Sequence, residues 1–140
     1  MKIKILSLIL FLIFLFLASK LTTRPQELEF TTYVVKVIDG DTLQTTNGII
    51  RLSLVNAPEI WEENYEEAKS FVESLCLNKE IFVDVDDLQV KDKYGRWIAK
   101  VYCNDINLNE ELIKNNLGVI DETFCEKSEF STESWAVACR

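Results

Sequence analysis

The chain has 140 residues, with 15 Lys and Arg against 23 Asp and Glu, a net charge of −8, and no histidine. That length holds one domain with a proper core plus an appendage, and the acidic balance argues against a broad basic surface for nucleic acid while leaving room for a local basic cleft. Without histidine there is no Ser-His-Asp or Cys-His nucleophile, no imidazole acid and no imidazole zinc site, so any chemistry rests on carboxylates, arginines, hydroxyls and a hard, oxygen-bound metal.

Residues 1–21 begin with Lys2 and Lys4 ahead of a continuous apolar run over residues 5–18. This is the charge and hydrophobicity pattern of an export signal. The run ends in Leu17-Ala18-Ser19-Lys20, a poor small-x-small cleavage site, so an uncleaved N-terminal membrane anchor is the alternative. Either way the lysines hold the N-terminus in the cytoplasm and the remainder is expected to be extracytoplasmic, secreted or anchored. Residues 22–29 are polar around Arg24-Pro25 and read as a linker, which leaves residues 30–140 as the folded domain.

Residues 33–59 read as strand, sharp turn, strand, tight turn, strand. Val34, Val35, Val37 and Ile38 are β-branched and stop at Asp39-Gly40-Asp41. Leu43, Thr45 and Thr46 lead to Asn47-Gly48, a strong hairpin signal, and a third strand runs over residues 49–55 until Ala57-Pro58 ends it. Polar groups fall where these strands end: Asp39, Asp41, Arg51, Asn56 and Glu59. Carboxylates beside a guanidinium on a β-meander are what metal-assisted phosphoryl transfer requires.

A helix follows, with Asn64 as N-cap, Glu67 as its capping-box partner, and Ala68, Phe71, Val72, Leu75 and Cys76 as one apolar stripe. Ile81, Val83 and Val85 alternate with polar neighbours as a fourth strand. The acidic run over residues 84–87 lacks the EF-hand spacing and reads as a solvated strand end. Residues 92–96 form a turn, residues 97–103 a fifth strand, and Asn107 caps a second helix with Glu110 as its partner. Five strands with a helix between the third and fourth are the plan of a five-stranded Greek-key barrel of the OB type, a mainly β fold with flanking helices. In the tail, Ser131 is expected to cap one short helix ending near Ala138.

The four cysteines show no C-x-x-C pair, and an export signal makes disulfides the expectation. Cys125 with Cys139 is the favoured pair, because the segment between them has little apolar core of its own. Cys76 and Cys103 either pair or stay as buried thiols.

Four motifs in order carry a resemblance over residues 33–117: Val-Ile-Asp-Gly-Asp-Thr at 37–42, Arg51 inside a strand, Val-Asn-Ala-Pro-Glu at 55–59, and Asp-Lys-Tyr-Gly-Arg at 92–96. The chain resembles the staphylococcal (micrococcal, thermonuclease-type) nuclease family. The resemblance implies an OB barrel and calcium-dependent hydrolysis of phosphodiester bonds in DNA or RNA, by a monomer. By the same resemblance Asp41, Asn56 and the Ala57 carbonyl bind one Ca2+, with Asp39 behind them. Glu59 positions or deprotonates the attacking water, Arg51 and Arg96 bind the phosphate and stabilise its developing charge, and Lys93 and Tyr94 border the nucleotide.

Three departures from the family pattern bear on this. Asn56 keeps an oxygen ligand but drops a charge. Residues 121–124, Asp-Glu-Thr-Phe, stand where related enzymes bring tyrosines to the nucleotide. The segment after Glu59 is acidic and offers no lysine. The rival readings are a catalytically silent OB module that binds nucleic acid or protein, and a structural calcium-binding ectodomain on a membrane anchor.

Overall fold

The structure, a computed structural model, describes residues 28–140 together with Ile9. The expected signal or anchor and most of the linker lie outside the described residues. Among the described residues no helix is long and apolar enough to cross a membrane.

Strand β1 (Glu29–Asp39) pairs antiparallel with β2 (Thr42–Thr45), and β2 with β3 (Gly48–Leu52). Strand β5 (Glu80–Val85) lies on the other side of β1 and pairs with β6 (Trp97–Cys103). A parallel pairing of β3 with β6 closes these five strands into a barrel of the OB type. Closure leaves the long strands without a free edge. Two short pairs decorate it: β4 (Val55–Asn56) with β8 (Val119–Ile120), and β7 (Ile106–Asn107) on β6.

The core follows the two-residue alternation of the strands, with one exception that matters. In β1, Val34 and Val37 are both buried although three residues apart. A bulge between Val34 and Lys36 supplies the extra residue, so Val35 and Lys36 both face out. Helix α1 (Tyr65–Cys76) covers the barrel with Ala68, Val72 and Cys76, and α2 (Leu108–Lys114) with Leu108 and Leu112. Cys76 is bonded to Cys103 of β6, which ties α1 to the barrel wall, and Cys125 to Cys139.

Several expectations need correction. The third strand does not run to Val55: it stops at Leu52, and Leu54, at φ 62°, turns the chain into β4. The hairpin loop is Thr46-Asn47, and Gly48, at φ 113°, opens β3. Asn64 is left-handed (φ 66°) and makes no side-chain cap, so there is no capping box at α1. Asn107 does cap α2, accepting from Glu110 N–H at 3.2 Å.

The tail holds three short 3-10 turns (Glu122–Lys127, Glu129–Thr132, Val137–Cys139) instead of one helix. Ser128, not Ser131, caps the middle one. The acidic run at 84–87 is not simply a solvated end, because Asp86 is fully buried. Asp86 accepts from Ser53 Oγ (2.8 Å), Leu88 N–H (3.1 Å) and Glu129 N–H (3.2 Å), which docks the tail onto the barrel.

Candidate active site

The turn between β1 and β2 carries Asp39, Gly40 and Asp41 against the start of α1. A Cβ on Gly40 would lie 2.7 Å from Ala57 Cβ and 3.1 Å from Ala68 Cβ, so only glycine lets the turn approach this closely. Asp39 Oδ1 accepts from the Asp41 N–H at 3.2 Å and shapes the turn. Asp41 is thereby buried at 6% exposure, with Oδ2 accepting from Ala57 N–H at 2.7 Å and Oδ1 from Thr42 Oγ1 at 2.9 Å. Burial pushes its carboxyl up to about 6, against the opposing pull of the Arg51 guanidinium and the Ala57 N–H.

Arg51 pairs across from Thr42 in the β2–β3 ladder, which brings its side chain to Asp41. Its Nη1 lies 3.2 Å from Asp41 Oδ2 and donates to the carbonyls of Leu52 and Val55. Its Nη2 donates to Asn56 Oδ1 at 3.2 Å. One guanidinium therefore gathers Asp41, Asn56 and the β3–β4 turn into one cluster. A guanidinium has five N–H donors. The Nε–H and one Nη2–H of Arg51 have no partner among the described residues.

Arg96 comes from the turn before β6. Asp92 organises that turn: its carboxylate accepts from Tyr94 N–H (2.9 Å), Arg96 N–H (3.1 Å) and Arg96 Nε (2.7 Å). Burial raises the Asp92 carboxyl, but these donors and the Arg96 charge outweigh it and hold the group below its ordinary value. Arg51 and Arg96 line one cleft of about 150 Å³, together with Asp92, Asp121, Phe124 and the β3–β4 turn. Parallel closure of β3 on β6 sets Arg51 of β3 beside the turn that carries Arg96 into β6, which no local pattern reveals.

The other expected residues are less tightly bound in. Tyr94 is 72% exposed, with Lys93 Nζ 5.1 Å and Arg96 Cζ 5.3 Å from its ring centroid. Glu59 is exposed, and its carboxylate has no hydrogen bond or ion pair among the described residues. Its backbone is fixed, since Glu59 N–H donates to Glu62 Oε2 at 2.7 Å and Glu62 N–H to the Glu59 carbonyl at 2.8 Å. Glu59 is not among the residues lining the cleft. Asp92 and Gln89 also line the cleft; the sequence shows Asp92 only as part of the turn motif and carries no signal for Gln89.

The donor set around Asp41 fits a hard divalent cation in kind. Asp41 and Asn56 offer oxygens that meet the same guanidinium, Ala57, whose N–H bonds Asp41, has its backbone carbonyl in the same segment, and among the described residues no cysteine is free to join as a soft donor. The charge is low, because among the described residues no three acidic, histidine or cysteine side chains gather as one ligand group.

Residues 49–135 match the family described as staphylococcal nuclease homologue. The chain is 32% identical over 99 residues to a thermonuclease of Staphylococcus hyicus, covering 64% of this chain and 58% of that protein. It is 38% identical over 112 residues to an uncharacterised protein of Methanocaldococcus jannaschii, covering 58% of this chain and 54% of the other. A probable staphylococcal-like nuclease of Oryza sativa subsp. japonica is 28% identical over 82 residues, 59% of this chain and 22% of its own length. The chain thus spans about half the length of the first two of these relatives. With a family match over residues 49–135, more than half of the chain, and a closed five-stranded OB-type barrel, the chain belongs to the staphylococcal nuclease homologue family.

Proposed function

We propose that this protein is an exported or membrane-anchored, metal-dependent nuclease that hydrolyses phosphodiester bonds in DNA or RNA as a monomer, with calcium as its ion. The observation that carries the reading is the convergence of Arg51 and Arg96 on one cleft, with Asp41 and Asn56 held against Arg51. Each arginine already has an aspartate partner, Asp41 and Asp92. The cleft therefore has little surplus positive charge for a phosphate, which favours a substrate that arrives with a cation. The apolar run at residues 5–18 and the two disulfides support an oxidising, extracytoplasmic location.

In this reading Asp41, Asn56 and the Ala57 carbonyl hold the ion, and Asp39 braces Asp41. The bound ion supplies charge neutralisation at a phosphate oxygen. Arg51 uses its remaining N–H donors, and Arg96 its Nη groups, to hold the phosphate and the charge that grows on it. Glu59, solvated and unpaired among the described residues, takes the proton of the attacking water. Lys93 and Tyr94 flank the nucleotide.

One observation favours the silent-module rival: Arg51 spends most of its donors inside the protein. A cleavage assay on denatured DNA separates the two. The purified full chain with calcium is expected to cut, to stop with chelator, and to stop in Glu59→Ala. Asn56→Asp restores the second ligand charge and is expected to tighten calcium about tenfold by calorimetry. Binding without cutting in both the parent and Asn56→Asp would instead establish the module.

A further inference from the structure

We propose that Asp121 and Phe124 form a base-reading wall of the cleft, which selects nucleotides whose base presents N–H donors, guanine foremost, over thymine and uracil. The inference rests on the nuclease reading and deepens it, because it says which end of a nucleotide lies where and which bases are preferred.

Both residues line the same cleft as Arg51 and Arg96. They reach it because β8 pairs with β4: Asn56 stands opposite Val119, and Asp121 N–H donates to the Leu54 carbonyl at 2.8 Å. The Asp121 side chain is held in place. Its Oδ1 accepts from Thr123 N–H at 3.2 Å and from Thr123 Oγ1 at 2.6 Å. Its Oδ2 has no partner among the described residues, and the carboxylate makes no ion pair there with either arginine. Asp121 thus brings to the cleft lining a carboxylate with one oxygen fixed by Thr123 and the other open among the described residues.

Phe124 is 36% exposed, and its N–H donates to the Asp121 carbonyl at 3.1 Å. The next residue, Cys125, is bonded to Cys139, so the ring sits on an anchored turn.

The lining is therefore polar in the electrical sense. Phosphate goes to the arginines, and a second phosphate at the other wall meets a carboxylate. What fits beside Phe124 and Asp121 is a flat, uncharged ring that stacks and donates. A carboxylate oxygen accepts only. Guanine presents N1–H and the N2 amino group side by side. Adenine and cytosine present one amino group beside a ring nitrogen that accepts. Thymine and uracil present a single N3–H between two carbonyl oxygens, which repel the carboxylate. The order is guanine, then adenine and cytosine, then thymine and uracil.

The test is equilibrium binding of dGMP, dAMP, dCMP and dTMP to the full chain in calcium, by calorimetry, so that no cleavage is needed. dGMP is expected to bind about tenfold more tightly than dTMP, the worth of one hydrogen bond to a charged group. Asp121→Asn keeps an acceptor for Thr123 and adds an amide donor, so the turn is preserved while the order collapses and dTMP binding strengthens. Phe124→Leu keeps apolar volume without a stacking face and is expected to weaken all four nucleotides by about tenfold. Equal affinities in the parent, dTMP as the tightest ligand, or an unchanged order in Asp121→Asn would overturn the base-reading wall and leave the nuclease reading standing. No binding of any nucleotide by folded protein would overturn both.

Discussion

Arg51 shows how much one side chain does here. Its planar fork meets an aspartate, an asparagine and two carbonyls, and still holds N–H groups in reserve. Lysine carries the same charge but has three donors on a point charge and cannot span that set. Arg51→Lys is expected to lower the single-turnover cleavage rate by about 10²–10³, the usual cost of losing a transition-state donor. A rate within a few-fold of the parent would remove Arg51 from the chemistry.

Asp92 makes a second, pH-dependent point. Its folded value lies below the ordinary 3.8. The stabilisation it contributes is present above that ordinary value and is lost as pH falls through the lowered one. The Tyr94 and Arg96 amide signals are expected to move together in an acid titration, below pH 3.8, and Asp92→Asn is expected to remove that acid transition. A loop that titrates unchanged in the variant would refute this. Both arginines and the turn motifs were legible in the chain. Their partners were less so: nothing local pairs Arg51 with Asp41, ten residues earlier on the neighbouring turn, and the barrel brings the two together.

At the scale of elements, the short pieces carry the surprises. Strand β5 buries Ile81, Val83 and Val85 as alternation dictates, and Asp86 falls just past its end. Asp86 is buried because the tail, 42 and 43 residues later, covers it with Ser128 and Glu129. Nothing within a local window announces this. Lys100 makes a parallel contact, with Asp84 at 3.1 Å and with Glu133 of the tail.

Asp86→Ala would remove the acceptor shared by the Ser53 hydroxyl and two backbone N–H groups, and is expected to cost about 3 kcal/mol in urea unfolding. Hydrogen exchange at Glu129 and its neighbours should rise first. Loss of less than about 0.5 kcal/mol would mean that the tail's other contacts, the buried Phe130 and Trp135 and the Lys100–Glu133 pair, hold it without Asp86. The missing cap at Asn64 belongs to this scale too. The approach of the Asp39–Asp41 turn and Ala57 to Ala68 sets the entry to α1, so packing overrode the capping preference.

The whole molecule is a closed barrel braced by two covalent links. The Cys76–Cys103 bridge joins α1 to β6 across 27 residues, and Cys125–Cys139 closes 14. Chain entropy alone assigns them about 3.5 and about 3 kcal/mol. A Cys76→Ala/Cys103→Ala double variant is therefore expected to unfold about 3 kcal/mol more easily, with the barrel intact at low denaturant. Unchanged stability would show that hydrophobic packing already holds α1 in place. The tail bridge has a different reach, since it anchors the turn that carries Phe124 to the cleft.

The sequence by itself determined the five barrel strands and the two helices that cover them, the barrel class, the family and the motifs that bear the candidate site, because alternation, turn chemistry and motif order are local properties. It also favoured the tail disulfide, because a polar segment with little apolar surface needs another restraint. Only the tertiary structure decided which groups meet. Closing β3 on β6 brought Arg51 and Arg96 to one cleft, and pairing β4 with β8 added Asp121 and Phe124. Burial of Asp86 under the tail likewise waited for the fold. These are contacts between residues far apart in the chain, and their energies exist only once the barrel has closed.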